Sequence, residues 1–474
     1  MKKFLPMIQS TTQKVKSSIQ KIPPKFRLII LGVILLLILA IVAVSVAMCG
    51  RRGRYTTITL VYANWNLGAY RDNALELRMI QSFMDEHPHI IVEIDQQVAM
   101  PWTSSLTTAA NQGRMPDVFM LEDIGLKAAN GWLMDVTSYV WADLDFFDLP
   151  AGVQEAMRIS GVTYAIPFAQ NIHGYFVNRD LLRDMGLAVP AFGVSAEGFL
   201  DAVHGATDFD RPSIGLNQAF SFMDWYPSAV DSYLRFFAFD GFGFALNSAA
   251  MLEGVRIASE LYGGGYTFDG LSDDVIAAYF PSGYALGAFR DGQMAFMYGG
   301  TGLAEIMLHQ INFDWEFIGV PGGRSIVTLE ALGIYSNTSH PEEAYMLARW
   351  MGHSAEGSLR RLEYAGSMGI MPTSLPVTQN REVLQELWQL LPVPGLMEIY
   401  GSMDRALIDG LRVLPGYMQA RFSAPSGIEI DGAPAGIDPL IRYSITGNAY
   451  FPDYSFTAER VARQQLDAAL APFR

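Results

Sequence analysis

Glu122 and Asp123 are the two side chains whose type and spacing first invite a chemical reading. They close the stretch NQGRMPDVFMLED, residues 111–123, in which a polar segment with Gly113 and Pro116-Asp117 runs into the apolar tetrad Val118-Phe119-Met120-Leu121. A short apolar run bounded by a turn signal and a polar end fits a strand buried on both faces of a parallel sheet. Ligands of open α/β sheets sit outside the carboxyl ends of such strands. The two acids therefore stand where a polar solute would be met. They also suit a plainer role, as the solvated end of a strand or as anions holding a helix N-terminus through its dipole.

Catalysis is the weaker reading. A glycosidase needs two carboxylates across its substrate. Glu122 with Glu330 could be posed so, yet nothing in the sequence marks either as an acid of raised pKa. GxSxG, HExxH and GxxxxGK[ST] are absent, and the clusters Gly241-Phe242-Gly243 and Gly263-Gly264-Gly265 lack the spacing of a dinucleotide fingerprint. His87 and His89 flank Pro88 with no third ligand nearby, so they read as a helix end and a turn rather than a metal site. The expectation is a binder and not an enzyme, with no cofactor and no metal.

The elements that would position these acids follow from periodicity. Thr56–Ala63 is β-branched and alternating, a strand, and it ends at Asn64-Trp65-Asn66-Leu67-Gly68. Ala74–His87 places apolar residues at helical spacing before Pro88, and Ile90–Gln96 reads as the next strand. Together these make a βαβ unit. Trp102–Gln112 is expected to be helical, Met115–Leu121 a strand and Ile124–Ala129 a helix. Ser160–Asp180 reads as a strand pair around Pro167 with a polar break at Gln170-Asn171. Phe289–Tyr298 reads as a helix end, a turn and a short strand, Pro341–Met351 as an amphipathic helix, Leu391–Leu396 as a linker and Glu459–Leu470 as a closing helix.

With 474 residues, half of them hydrophobic, the chain has material for two domains and a large core. Residues 1–54 hold ten Lys or Arg and no acid. The remainder holds 23 bases against 48 acids, a net charge of −25, with Lys127 its one lysine. Such a body repels phosphate backbones, which argues against nucleic acid as a partner. Residues 1–27 form a basic segment. Leu28–Met48 is then 21 residues without a charge, long enough to span a bilayer. Seven positive charges before it and three after favour N-terminus in and body out. The sole cysteine, Cys49, ends Ser45-Val46-Ala47-Met48-Cys49 and allows no internal disulfide. That box resembles a bacterial lipoprotein signal, with Cys49 the lipidation site, although Met48 and the long basic segment depart from the pattern. Residues 28–49 therefore read either as a lipoprotein signal or as an uncleaved transmembrane signal anchor. In both readings the body is tethered outside the cytoplasmic membrane, periplasmic or extracellular.

A family resemblance runs through residues 56–375. TTITLVYANW, FMDEHPHIIVEI, NQGRMPDVFML, GWLMDVTSYV, GVTYAIPFAQNIHGYFVNRDLLRDMGL, FRDGQMAFMYGG, WEFIGVPGG, ALGIYSNTSHPEEAYMLARWM and GIMPTS follow one another in family order. The chain resembles the family 1 extracellular solute-binding proteins, the maltose-binding-protein-like sugar receptors of ABC importers. Each motif is loose, and their colinearity carries the likeness. It implies a two-lobed, type II-like periplasmic-binding-protein fold of class α/β with crossover strands between lobes. Crossings are expected near Phe168–His173, Thr328–Gly333 and Met371–Pro376. Lobe one would take residues 55–168 plus 332–372, and lobe two 173–328 plus 376–474.

The resemblance also implies a cleft between the lobes and permease subunits of an ABC transporter as partners. Closing on a polar solute takes hydrogen-bonding groups from each lobe and aromatic faces for a sugar. The expected contributors are Trp65, Asn66, Glu122 and Asp123 from lobe one, and Gln170, Asn171 and Glu330 from the crossings. Trp225, Tyr226, Gly300 and Thr301 come from lobe two, where Trp225 would serve equally well as core. Relatives often place a sugar-stacking tryptophan near Gly299-Gly300-Thr301, and it is missing here. The rival expectation is a membrane-anchored interaction or sensor protein that keeps the fold without transport cargo.

Overall fold

The computed structural model of the chain describes residues 57–68, 72–372, 374–423, 429–430 and 433–474. The basic segment, the apolar stretch 28–49 and Cys49 lie outside the described residues. Among the described residues no helix is long and apolar enough to cross a membrane.

Nine strands make one mixed sheet: β1 (Ile58–Ala63), β2 (Ile90–Ile94), β3 (Val118–Leu121), β4 (Ile166–Asn178), β5 (Ile214–Leu216), β6 (Met294–Gly300), β7 (Trp315–Phe317), β8 (Ile326–Ile334) and β9 (Leu407–Ile408). Its order is β2-β1-β3-β8-β4-β6-β5, with β9 added to β8 and β7 to β4. The two long strands, β4 and β8, are antiparallel partners and belong to both halves. The C-terminal part of β8 pairs with β3 (Ala331 with Leu121, Ile334 with Val118) and its first residues pair with β9. The C-terminal part of β4 pairs instead with β6 and β7.

The first half forms as its pattern requires. β3 is parallel to β1 and antiparallel to β8, so the parallel sheet expected around it is mixed. All four of its residues are buried, hence both faces are covered, which is why the run carries no alternation. Helix α1 (Asp72–Glu86) buries Leu75, Met79, Ile80 and Phe83, each stabilising the fold by about 2 kcal/mol. Helix α2 (Pro341–Met351) packs against it, and the Trp350 indole donates to the Met79 carbonyl at 3.2 Å. Asp117 fixes the entry to β3, accepting from Val61 N–H at 2.8 Å and from Thr338 Oγ1 at 2.6 Å.

Tyr175, Phe199, Phe222, Trp225, Phe237 and Phe244 anchor the second core, which the C-terminal helices α3 (Ile437–Ile445) and α4 (Pro452–Leu470) join through Leu440, Ile441, Ala458 and Leu466. A buried two-pronged pair, Arg421 Nε and Nη2 to the Asp438 carboxylate at 2.6 Å each, fastens α3 to the preceding segment.

One element differs from the sequence reading. Ser160–Asp180 was expected to break at Gln170-Asn171, and β4 instead runs through both without interruption. Gln170 N–H donates to the Leu375 carbonyl at 2.9 Å, its side-chain Nε2 donates to the Pro376 carbonyl at 2.8 Å, and its own carbonyl accepts from Leu375 N–H. Main-chain bonds on both edges keep the strand continuous, although the buried Gln170 Oε1 has no protein partner.

Candidate functional site

Trp65 is held by the chain that precedes it. Asn64 is buried at the end of β1, where its Oδ1 accepts from Asn66 N–H at 2.8 Å and its carbonyl accepts from Leu67 N–H at 3.1 Å. This turn winds Trp65–Gly68 into a single 3-10 turn. The half-buried Trp65 ring meets Trp102 edge-on, centroids 5.3 Å apart, and the Trp102 indole donates to the Met120 carbonyl at 2.9 Å. Both tryptophans line a cavity of about 400 Å³ with Asn64, Asp95, Gln96 and Met100. The Arg412 guanidinium lies 5.2 Å from the Trp65 ring centre, a cation–π contact. Asn66 borders a smaller hollow of about 50 Å³ beside Glu76 and Arg361.

The pair Glu122 and Asp123 has structural partners. Asp123 caps the helix Ile124–Ala129, accepting from Leu126 N–H at 2.8 Å. Burial raises its pKa while that hydrogen bond opposes the rise. Glu122 Oε2 accepts from Thr103, whose hydroxyl accepts from Lys127 Nζ at 2.7 Å, and Glu122 lies 3.7 Å from the same ammonium. Lys127 is wholly buried. Glu122 is thus tied to a buried lysine, and Asp123 to a helix end.

Strands β4 and β8 carry a row of half-buried polar groups. Asn171 pairs with Thr328 across β4 and β8, so their side chains share a face. His173 lies one step along that face, with Nε2 3.4 Å from Thr328 Oγ1, which also donates to Asp409 Oδ2 at 3.3 Å. Burial lowers the His173 pKa, and Asp409 opposes it. Gly300 is paired with His173, and a Cβ there would stand 3.0 Å from the imidazole. Thr301 is buried, its hydroxyl accepting from Ile172 N–H at 3.3 Å. Glu330 Oε1 accepts from Arg412 Nη1 at 3.3 Å while its buried Oε2 has no protein partner. Burial raises the Glu330 pKa and Arg412 pulls it down. Arg412 also donates to the Leu329 carbonyl, and its own carbonyl accepts from Ile124 N–H at 2.9 Å.

Of the residues singled out in the sequence, Trp65 and Glu330 meet at Arg412, and Asn171 joins the row with His173 and Thr328. Gln170 is buried, its Nε2 staples β4 to Pro376, and its Oε1 has no protein partner. Trp225 is core, 1% exposed, with its indole donating to the Tyr175 hydroxyl at 2.8 Å. Tyr226 is buried in the same cluster. Their neighbour Asp224, on the same helix Phe222–Val230, is half-buried. It accepts from the Tyr298 hydroxyl at 2.8 Å, and burial pushes it up to about 7 against the pull of Arg421.

Sequence reasoning missed His173, Thr328, Asp409 and Arg412. Leu407-Ile408-Asp409 carries the signal that marked Glu122, a short apolar run ending in an acid. His87 and His89 lie 6.4 Å apart, ring to ring. Among the described residues no group of three or more His, Cys, Asp or Glu could hold a metal.

Residues 78–389 match the bacterial extracellular solute-binding protein family. Among curated proteins none matches the chain. Solved structures do. An ABC substrate-binding protein from Listeria monocytogenes in complex with cycloalternan is 17% identical, with a TM-score of 0.60 over 88% of this chain and 99% of that one. The cyclic alpha-maltosyl-1,6-maltose binding protein from Arthrobacter globiformis is 16% identical, with a TM-score of 0.63 over 87% and 99%. The sugar-binding protein MalE from Xanthomonas citri is 16% identical, with a TM-score of 0.62 over 88% and 99%. At these identities the likeness is one of fold, the two-lobed α/β architecture. The family match spans more than half of the sequence, and the chain belongs to the bacterial extracellular solute-binding proteins, receptors rather than enzymes.

Proposed function

We propose that the protein is a membrane-tethered receptor on the outer face of the cytoplasmic membrane. It captures a small polar solute, a carbohydrate, between two lobes and delivers it to the permease of an ABC importer. The lobes divide as the family pattern implies, 55–168 plus 332–372 and 173–328 plus 376–474, with β4 and β8 as the strands about which they close. The observation that carries this reading is the half-buried Trp65 plate, which lines an open cavity and is met by Arg412, together with the polar row Asn171, His173, Thr328 and Asp409 on and beside β4 and β8. An aromatic face with convergent donors and acceptors suits a polyhydroxylated ring. The solved relatives described as binding cycloalternan and cyclic alpha-maltosyl-1,6-maltose support the same solute class. Tethering rests on residues 28–49, either as a signal anchor or through lipidation of Cys49.

A second reading has its own support. Arg412 already covers one face of Trp65, so a protein that kept the fold without cargo would look the same there. A thermal-shift screen of the full-length chain against mono- and oligosaccharides, polyols, amino acids and polyamines separates the two. A ligand at 100 times its dissociation constant adds about 2.7 kcal/mol. A saccharide that raises the melting point of the parent chain, and fails to do so after Trp65→Ala or Asn171→Ala, supports the receptor. A folded chain with no response across the panel supports the interaction protein.

A further inference from the structure

A second cavity lies apart from the Trp65 wall, and its charge is opposite to that of the body around it. It has a volume of about 620 Å³ and opens between the short helix Ala151–Ala156 with its following strand, the segment 232–241, and the segment 404–417. Arg158, Arg235, Arg324 and Arg405 all line it, with Glu155 and Asp404 as the acids. The lining therefore carries a net charge of +2 in a body whose net charge is −25.

The partners of these arginines are few. Arg158 has Glu155 at 3.7 Å. Arg324 donates to the Ser228 carbonyl at 3.0 Å, a neutral acceptor. Among the described residues, Arg235, Arg324 and Arg405 form no ion pair within 4.0 Å. Arg405 reaches back toward Arg324, its Nη2 3.3 Å from where a Cβ on Gly323 would stand. The Arg324 pKa is lowered by burial and then by the Arg405 charge, as expected for two like charges facing one space. Arg324 and Arg405, facing one space and without an ion pair among the described residues, make the arrangement that binds an oxyanion through paired N–H donors, with Glu155 already engaged by Arg158. The remaining wall is apolar, with Phe236, Phe239 and Leu414 among its members, and the volume falls within the range of small-molecule sites.

We propose that this cavity binds a small phosphomonoester carried on an apolar or aromatic body. A dianionic phosphate matches the +2 lining where a monoanionic carboxylate leaves one charge over. The site is independent of solute capture at Trp65. It shares only the segment 409–417, which turns Arg412 and Asp409 toward β4 and β8 and Gly410 and Leu414 toward this cavity.

Calorimetric titration of the full-length chain at fixed ionic strength, with phenyl phosphate, inorganic phosphate, benzoate and phenol as probes, tests the proposal. Phenyl phosphate is expected to bind, benzoate at least about tenfold more weakly, and phenol not at all. Arg405 is exposed, so Arg405→Gln should fold as the parent does, and it should weaken phenyl phosphate by about tenfold or more. Arg324→Gln should act in the same direction, and exposed Arg381→Gln should leave the affinity unchanged. No binding of phenyl phosphate overturns the site. So does equal weakening by all three substitutions, or none by Arg405→Gln. Benzoate binding as tightly as phenyl phosphate overturns the phosphomonoester assignment. Loss of saccharide response in Trp65→Ala with phenyl phosphate binding intact would leave this site standing whatever the fate of the sugar reading.

Discussion

Glu122 is either a ligand group or the partner of a buried charge, and substitution at two positions decides which. The Lys127 side chain is fully buried, whereas that of Glu122 is about one-third exposed, at 33%. The two ends of the pair are therefore unequal. Glu122→Ala leaves an ammonium in the interior with the Thr103 hydroxyl as its near partner, and losing one member of a buried pair costs 3–5 kcal/mol. With Thr103 remaining and Asp123 nearby, the lower end, about 3 kcal/mol, is expected. Lys127→Met removes the buried charge and leaves a carboxylate that water reaches, so its cost should stay below about 1 kcal/mol.

The pH dependence carries the same logic. Burial lowers the Lys127 pKa from the ordinary 10.5, and Glu122 is the largest influence raising it. Removing Glu122 lowers it further. The native state then sheds the proton at a pH where the unfolded chain still holds it, so stability of Glu122→Ala should rise with pH toward 10.5 more steeply than that of the parent. The assay is thermal melting of parent, Glu122→Ala and Lys127→Met at neutral and alkaline pH. A drop of several degrees in Glu122→Ala, partly recovered on alkalinisation, with Lys127→Met near the parent, is the expected result. Equal losses in both, or no loss in Glu122→Ala together with abolished solute binding, would refute the structural assignment.

Three further outcomes follow from the same reasoning. Asp123→Ala removes the cap of Ile124–Ala129 and should cost about 1 kcal/mol, read as a lower melting point without change in the affinity of any solute found in the screen. Asp224 is pushed up to about 7 from an ordinary value of 3.8, so its contribution favours the fold at acid pH and is lost as pH rises through about 7. Asp224→Asn should flatten the melting curve against pH across that window. Arg412→Gln takes from Glu330 the charge that lowers its pKa, so this variant should lose stability between acid and neutral pH more than the parent does, and the half-buried Trp65 indole, freed of the guanidinium beside it, should change its fluorescence.

What could be read from the sequence is what is decided within a few residues. Val118–Leu121 announced a doubly covered strand because burial on both faces removes alternation, and Ile124–Ala129 and Pro341–Met351 fall where a cap or a proline starts them. Gln170 misled because a mid-strand amide looks like a break until the Leu375-Pro376 segment arrives to satisfy it. Trp225 was ambiguous for a related reason. One turn of helix holds Asp224, Trp225 and Tyr226, and only the position of Tyr175 on β4 decides that the indole faces inward. The row on β4 and β8 is least legible. Arg412 reaches Trp65 and Glu330 because a two-residue strand, Leu407-Ile408, adds in parallel to β8 beside Ile326-Val327 and leads the following loop onward along it. No periodicity survives in two residues. That pairing, more than any local motif, determines whether the Trp65 face is open to a sugar or already held by the chain's own guanidinium.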